Sequence, residues 1–242
     1  MTNMTPGTVS ERKLNQAIQK AIGAAEDGIL GPASAVDLAV AVGAKCWPLT
    51  IALFGQPVIV CKDITVLAPG KGTKHYANSL SGSFSFQKKP CSILVSDGKV
   101  LWQTACHAWL GQPESVLYRL ENGKVGMKRC LSAEELPKGV RWAVGGMGLG
   151  KTYAPKTEGF SGQYADVLRR TNHTVLGVKN DMVYLVYCKS MTGEQVNSFV
   201  TDKLKLELAV MLDGGHVAAI NGEERFAQIN TAQNQYYLIQ AK

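Results

Sequence analysis

The apolar run LAVMLDGG carries one carboxylate, Asp213, to the end of a predicted strand, followed by Gly214 and Gly215. A carboxylate at such a strand end can serve as a general acid, a general base or a group that orients a ligand. The two glycines allow the backbone to turn sharply beside that ligand. Asp213 is therefore predicted to be catalytic, together with His216 directly after the turn, although Asp-Gly-Gly is also simply a good turn sequence.

A second run, GGMGLGKT at residues 145–152, satisfies the phosphate-binding pattern G-x-x-x-x-G-K-[ST]. A working loop of this kind needs its lysine at the start of a helix, so that backbone N–H groups and the helix dipole face the phosphates. Pro155 and Gly159 follow within a few residues and exclude a long helix there. The run is interpreted as a strand end with a glycine loop, and a nucleotide hydrolase is a distant alternative.

The N-terminal residues 1–46 are predicted to form a small helical hairpin. Apolar residues with helical spacing follow Ser10, a candidate N-cap, and a second helix is predicted over 34–42 after the turn DGILGP. Residues 47–242 form the second predicted domain, in which short β-like runs alternate with Gly and Pro.

Three turns in this second domain are predicted to close hairpins: SDGK, ENGK and Asn180-Asp181. An amphipathic helix is predicted in TGEQVNSFVTDKLK, where Thr192 and Gln195 are spaced as a capping box. The predicted fold class is α/β, of the mixed α+β kind, with a twisted mixed sheet flanked by helices.

Composition limits the functional classes. The formal net charge of +7 favours an anionic partner, but Lys and Arg are scattered, so nucleic acid is not expected as a partner. Six dispersed cysteines and four dispersed histidines form no metal-ligand spacing; free thiols are expected, with no metal and no cofactor. No apolar run is long enough for membrane insertion and no signal peptide is recognised, so cytoplasmic synthesis is expected.

Several short motifs occur together in the C-terminal half. They are RRTNHTVLG, VYLVY, the MTGEQVNSF helix and LDGG, preceded by YANSLSGSF, the segment KPCSILVSDGKV and AVGGMGL. In this order they resemble the phosphodiester glycosidase family over about residues 60–240. The resemblance implies cleavage of a sugar-1-phosphodiester, or of a related glycosidic bond, in a phosphorylated glycan or bacterial envelope polymer.

The same resemblance implies the substrate-binding residues. Arg170 and His173 would present cations to the phosphate, with Thr174 in the same motif, and Asn78 would supply a ligand-binding amide. Gly214 and Gly215 would let the substrate approach the backbone. The chain departs from the family pattern because His216, Val217 and Ala218 replace a glycine and two serines, and His173 replaces an arginine.

The segment LNQAIQKAIGAAEDGILGPAS resembles peptidoglycan-binding modules, which implies a cell-wall partner. Two functions therefore stay open. One is a hydrolase acting on an envelope glycan; the other is a glycan-binding or phage virion protein, for example of a tail or baseplate, that keeps the fold without the chemistry. In the second case other virion proteins would be partners.

Overall fold

The computed structural model describes residues 11–42, 47–67, 78–82, 84–86, 89–222 and 237–242. The chain divides into two compact units, Met1–Cys46 and Trp47–Lys242. The predicted N-cap Ser10 and parts of the YANSLSGSF motif lie outside the described residues. Within the described part, no helix has the length and apolar character needed to cross a membrane.

The N-terminal unit contains helices α1 (Glu11–Ala21) and α2 (Pro32–Ala41). The turn between them is fixed by Gln19, which is only 1% exposed. The Gln19 amide group donates to Asp27 Oδ1 at 2.7 Å, and its oxygen accepts from the Gly28 N–H at 2.8 Å. Both polar atoms of the buried Gln19 amide therefore have hydrogen-bond partners in the Asp27-Gly28 turn, as buried polar groups require.

The second unit consists mainly of strands. In chain order they are β1 Leu49–Leu53, β2 Gln56–Cys61, β3 Ile64–Leu67, β4 Ser79–Ser81, β5 Ser85–Phe86, β6 Lys89–Pro90, β7 Leu94–Ser96, β8 Lys99–Trp102, β9 Glu114–Leu120, β10 Val125–Cys130, β11 Val140–Gly148, β12 Thr171–Lys179, β13 Met182–Met191, β14 Leu208–Gly214, β15 Ala219–Asn221 and β16 Leu238–Ala241. Helix α3 (Gly193–Ser198) continues as a π-helical turn, Phe199–Lys203. Short 3-10 turns lie at Ala108–Leu110, Ala133–Glu135, Gly150–Thr152, Pro155–Glu158, Gly162–Leu168 and Gly215–Val217.

The strands form a ten-stranded sheet, a four-stranded sheet and a two-stranded ribbon. The large sheet runs β1-β2-β13-β12-β14-β11-β7-β8, with β9 paired to both β11 and β10; the small sheet runs β15-β4-β16-β3. The chain is thus a mostly-sheet α+β protein. The predicted mixed sheet is corrected, because every strand pair among the described residues is antiparallel. Neighbouring strands joined by hairpins run in opposite directions.

The main hydrophobic core draws on both larger sheets. It includes Leu176 and Leu212 from the ten-stranded sheet and Leu80 and Ile239 from the four-stranded sheet, all nearly fully buried. Burial of a side chain of this size contributes about 1.5–3 kcal/mol relative to exposure. The core therefore fixes β14, and with it the position of Asp213 at the end of that strand.

The local sequence signals for the three hairpin turns and for the start of α3 are confirmed. The SDGK, ENGK and Asn180-Asp181 turns join β7 to β8, β9 to β10 and β12 to β13. Asn180 and Asp181 adopt φ values of 51° and 59°, the left-handed conformation that a two-residue hairpin turn requires. Thr192 and Gln195 form the predicted capping box at the start of α3.

The glycine-rich run 145–152 belongs to β11 and the short 3-10 turn after it, and no long helix follows Lys151. A Cβ atom on Gly145 would collide with the Glu114 carboxylate, and one on Gly146 with the Met211 carbonyl. Close strand packing therefore explains these glycines, and the interpretation of GGMGLGKT as a strand end and glycine turn is confirmed.

Candidate functional site

Asp213 is the penultimate residue of β14, where the buried apolar run ends and exposure begins. Its backbone N–H donates to the Gly82 carbonyl, and its Oδ1 accepts from the Gly214 N–H at 2.7 Å. These contacts fix both the backbone and the carboxylate of a partly exposed residue. Asp213 lines a pocket of about 620 Å³.

Aromatic rings form one side of this pocket, here called the aromatic wall: Phe84, His107, Trp109, Phe160 and Tyr164. Successive centroids along the wall are separated by 5.3 Å (Phe84–Phe160), 5.0 Å (Phe160–His107), 5.0 Å (His107–Tyr164) and 6.2 Å (Tyr164–Trp109). These spacings are typical of favourable ring pairs. The wall runs from Phe160, which is 3% exposed, to Trp109, which is 69% exposed, so it extends from the interior to the pocket mouth.

His107 lies in the middle of the aromatic wall and is buried. Its Nδ1 is 2.9 Å from the Glu158 carbonyl oxygen, which can only accept a hydrogen, so Nδ1 carries the proton. Burial opposes the charged imidazole, but the hydrogen bond and charge interaction with Cys106 and the Glu158 carbonyl together outweigh it and raise the pKa of His107. The imidazole is therefore a candidate for presenting positive charge or for transferring a proton in the pocket.

Gly159 packs against the His107 ring with φ of +88°, and an added Cβ would overlap that ring. We expect Gly159→Ala to lower the free energy of unfolding by about 2–4 kcal/mol, since left-handed strain adds to overpacking. Gly162→Ala is the matched control: Gly162 also has positive φ, but open space surrounds its Cβ position. Urea denaturation of both variants measures the difference, and equal losses would contradict the packing role of Gly159.

A buried carboxyl group, Glu114, contacts the backbone of the pocket residue Cys106. Its oxygens accept from the Ile93 N–H at 2.6 Å, the Ser92 hydroxyl at 2.9 Å and the Cys106 N–H at 3.2 Å. Burial outweighs these hydrogen bonds and raises the pKa of Glu114 to about 8. Glu114 therefore ties β9 to Cys106, directly before His107 in the aromatic wall.

The two predicted phosphate-binding cations do not line the pocket. Arg170 is exposed, and its guanidinium donates to the Ser190 carbonyl at 2.8 Å. His173 is fully buried with its Nε2 2.9 Å from the Met191 carbonyl, and burial lowers the pKa of its imidazole. The structure thus corrects the expectation for His173: its ring is buried, does not line the pocket, and lies where burial disfavours the charged form.

Of the remaining predicted site residues, Thr174, Gly214 and Gly215 lie next to Asp213, and Asn78 does not line the pocket. Thr174 is buried, and its hydroxyl donates to the Asp213 carbonyl at 3.4 Å. This contact helps to hold the backbone of Asp213 in place. Gly214 and Gly215 form the predicted turn, with the Gly214 N–H already engaged by Asp213. Asn78 accepts a hydrogen bond from Thr50 at 3.4 Å and is not among the lining residues. The side chain of His216 lies outside the described part of the structure.

The charge of the pocket differs from that of the whole chain. Its described lining contains two carboxylates, Asp166 and Asp213, and no lysine or arginine. Within the described lining, His107 is therefore the side chain that can offer a positive charge to an anionic ligand. No group of three or more His, Cys, Asp or Glu side chains in the described ranges is arranged to hold a metal ion.

Sequence reasoning missed Asp166, the Cys106-His107 pair and the aromatic wall. Asp166 lies in the 3-10 turn Gly162–Leu168, which has no periodic pattern. A usable signal was present in TACHAWL, where a cysteine, a histidine and a tryptophan occur within four consecutive residues. Chemistry-bearing residues concentrated in a loop are typical of functional sites.

Comparison with known proteins identifies similar folds. The chain is similar to the catalytic domain of zebrafish N-acetylglucosamine-1-phosphodiester alpha-N-acetylglucosaminidase, auto-inhibited by its pro-peptide, with a TM-score of 0.56 and 12% identity over 80% of each chain. It is also similar to a hypothetical protein from Synechocystis, with a TM-score of 0.50 and 12% identity over 79% of this chain and 60% of that one. No protein-family model and no curated protein sequence matches. The chain therefore has a distant fold relationship to a phosphodiester glycosidase domain.

Proposed function

We propose that this protein is a glycosidase-type hydrolase that cleaves a sugar-1-phosphodiester, or a related glycosidic bond, in a bacterial envelope glycan. One observation carries the proposal. Asp213 faces an aromatic-walled pocket at the end of a core strand, in a fold similar to the catalytic domain of a phosphodiester glycosidase. A concave, mainly apolar pocket with a few convergent polar groups is the usual form of a small-molecule site.

The aromatic wall suits a sugar ring. Sugars present C–H groups on one face and hydroxyl groups around the edge, so an aromatic ring covers the apolar face while carboxylates accept from the hydroxyls. Trp109 at the mouth offers a large exposed ring, and Tyr164 stands 6.2 Å from it. Tryptophan and tyrosine combine an apolar body with a polar tip, which matches such a ligand.

The two pocket carboxylates take different parts in the reaction. Asp213 removes a proton from a water molecule that attacks the anomeric carbon, and the bond from that carbon to the phosphate oxygen breaks. A phosphate monoester is a good leaving group and departs as an anion, so it needs little help from an acid. Asp166 stabilises the positive charge that develops on the sugar ring, as paired carboxylates do in other glycosidases.

In this proposal, His107 binds the phosphate group as it leaves. Its Nδ1 is held by the Glu158 carbonyl, so a protonated ring would present its Nε2–H to that phosphate. A cation aimed at developing negative charge stabilises the transition state, and a charge-assisted hydrogen bond is stronger than a neutral one. Within the described pocket, His107 thus has the phosphate-binding role that was predicted for Arg170 and His173.

The direct test is sugar release from a defined substrate. The methyl phosphodiester of N-acetylglucosamine is incubated with the protein and compared with the neutral methyl glycoside of the same sugar. We expect release from the phosphodiester at a higher kcat/KM, because its leaving group needs no protonation. Failure to release sugar from phosphodiesters of several sugars would overturn the hydrolase proposal.

Trp109→Ala tests sugar recognition separately from chemistry. We expect the KM for the phosphodiester to rise by roughly tenfold, since one ring contact is lost. The exposed ring contributes little to folding, so the free energy of unfolding should change by less than about 0.5 kcal/mol. Phe54→Ala is the control, because Phe54 is also exposed, at 56%, and lies outside the pocket lining. A KM that is equal in both variants would remove Trp109 from the binding site.

A glycan-binding protein without catalysis is the second candidate. Val217 and Ala218 stand where the resembling family has serines, and both are buried apolar side chains. Neither position therefore offers a hydroxyl to a phosphate. Retention on purified cell wall by wild type and Asp213→Asn alike, with no sugar release by either, would favour this candidate and the virion role predicted from the sequence.

A further inference from the structure

Two cysteines contact each other in the pocket. Cys91 Sγ and Cys106 Sγ are 3.4 Å apart, and both side chains are half-buried and line the cavity. A disulfide bond is about 2.05 Å long, so a small approach of the two sulfur atoms would form one. The other described cysteines, Cys61, Cys130 and Cys188, are buried.

A proton acceptor lies beside the pair. His107 Nε2 is 4.0 Å from Cys106 Sγ, while Nδ1 is fixed by the Glu158 carbonyl. In the neutral ring the hydrogen therefore resides on Nδ1, and Nε2 is left as the acceptor that faces the thiol. A thiol, an adjacent base and a group that orients the base form the arrangement that activates a nucleophile.

We propose that Cys91 and Cys106 form a reactive dithiol that exchanges with small-molecule disulfides entering the pocket and ends as a Cys91–Cys106 disulfide. The Cys106 thiol gives its proton to His107 Nε2, and the thiolate attacks one sulfur of the small-molecule disulfide. That S–S bond breaks, one small thiol leaves with a proton, and a mixed disulfide remains on Cys106. Cys91 then attacks the Cys106 sulfur and releases the second small thiol. One small disulfide is reduced to two thiols, and the two cysteines are oxidised.

The pocket distinguishes this pair from the other thiols. Burial raises the pKa values of Cys61 and Cys188 to about 12, and these side chains have no access to solvent. The pKa of Cys106 is also raised, by its hydrogen bond with Cys91 and by burial, so it rests as a thiol. Its reaction therefore depends on the neighbouring imidazole and on access through the pocket mouth.

The test uses the native full-length protein and oxidised glutathione. After timed incubation the remaining thiols are alkylated, and peptides are mapped by mass spectrometry without reduction. We expect a Cys91–Cys106 cross-link, with both of these thiols lost together and Cys61, Cys130 and Cys188 still free. Unchanged alkylation of Cys91 and Cys106, or stable glutathione on Cys106 in wild type, would overturn the proposal.

Two variants and one control separate the steps. Cys91→Ser should trap one glutathione on Cys106, because the resolving thiol is missing, whereas Cys130→Ala should cross-link as wild type does. His107→Gln should slow the loss of thiols at pH 7 by at least about tenfold without changing the final cross-link. Absence of a trapped adduct in folded Cys91→Ser would contradict attack by Cys106. None of these measurements depends on hydrolysis.

Discussion

Asp213→Asn is expected to lower kcat for sugar release from the phosphodiester by about 10²–10⁴-fold, with KM changed by only a few-fold. An asparagine oxygen can still accept from the Gly214 N–H, which lies 2.7 Å from Oδ1 in the wild type. The amide cannot take a proton from water, so the variant loses the chemical step and keeps the shape of the pocket. Steady-state rates at several substrate concentrations measure the two parameters separately.

Asp202→Asn is the matched control for Asp213→Asn. Asp202 is exposed in the π-helical turn Phe199–Lys203 and is not among the residues that line the aromatic-walled pocket. It should retain wild-type kcat and KM. Thermal denaturation of both variants checks that each is folded. Near wild-type turnover by a folded Asp213→Asn protein would remove this carboxylate from the mechanism and, with it, the proposed reaction.

The parts of the fold that sequence could predict are those fixed by local physics. The two-residue turn at Asn180-Asp181 needs left-handed backbone, and asparagine and aspartate tolerate it. The Thr192 cap and the apolar run ending at Asp213 depend on neighbours within a few positions. Strand orientation in the sheet is different, because it depends on which distant strands pair, and the prediction of a mixed sheet was wrong.

The residues of the candidate site are mostly far apart along the chain, so the sequence alone does not show that they lie together. The aromatic wall joins Phe84, His107 and Phe160, which are far apart along the chain and come together only when the strands pair. Six dispersed cysteines give no sign that Cys91 and Cys106 meet. His173 was predicted to face a ligand, but residues 173–178 of β12 are buried on both faces of the strand, so its ring has no access to solvent.

The buried Glu114 carboxyl also predicts a strong pH dependence of stability. The pKa of Glu114 is raised from its ordinary value of 4.5 to about 8, mainly by burial, while the nearby Glu158 carboxyl adds to the same effect. Below pH 4.5 the group is protonated in both the folded and the unfolded protein. Between about 4.5 and 8 the unfolded chain releases the proton and the folded chain keeps it, so the free energy of unfolding falls as pH rises. Above about pH 8 both states are ionised, and the effect levels off.

Glu114→Gln removes this titration. A glutamine is neutral at every pH, so between pH 5 and 8 the wild type should lose about 3–4 kcal/mol of unfolding free energy relative to the variant. At pH 5 the variant should be less stable by about 1–3 kcal/mol, because its NH₂ group cannot accept from the Cys106 N–H. Urea denaturation at a series of pH values measures both effects. Glu121→Gln, at an exposed position, should keep the wild-type pH dependence. Parallel curves for wild type and Glu114→Gln would mean that Glu114 is ionised in the folded protein, with its three donors outweighing burial.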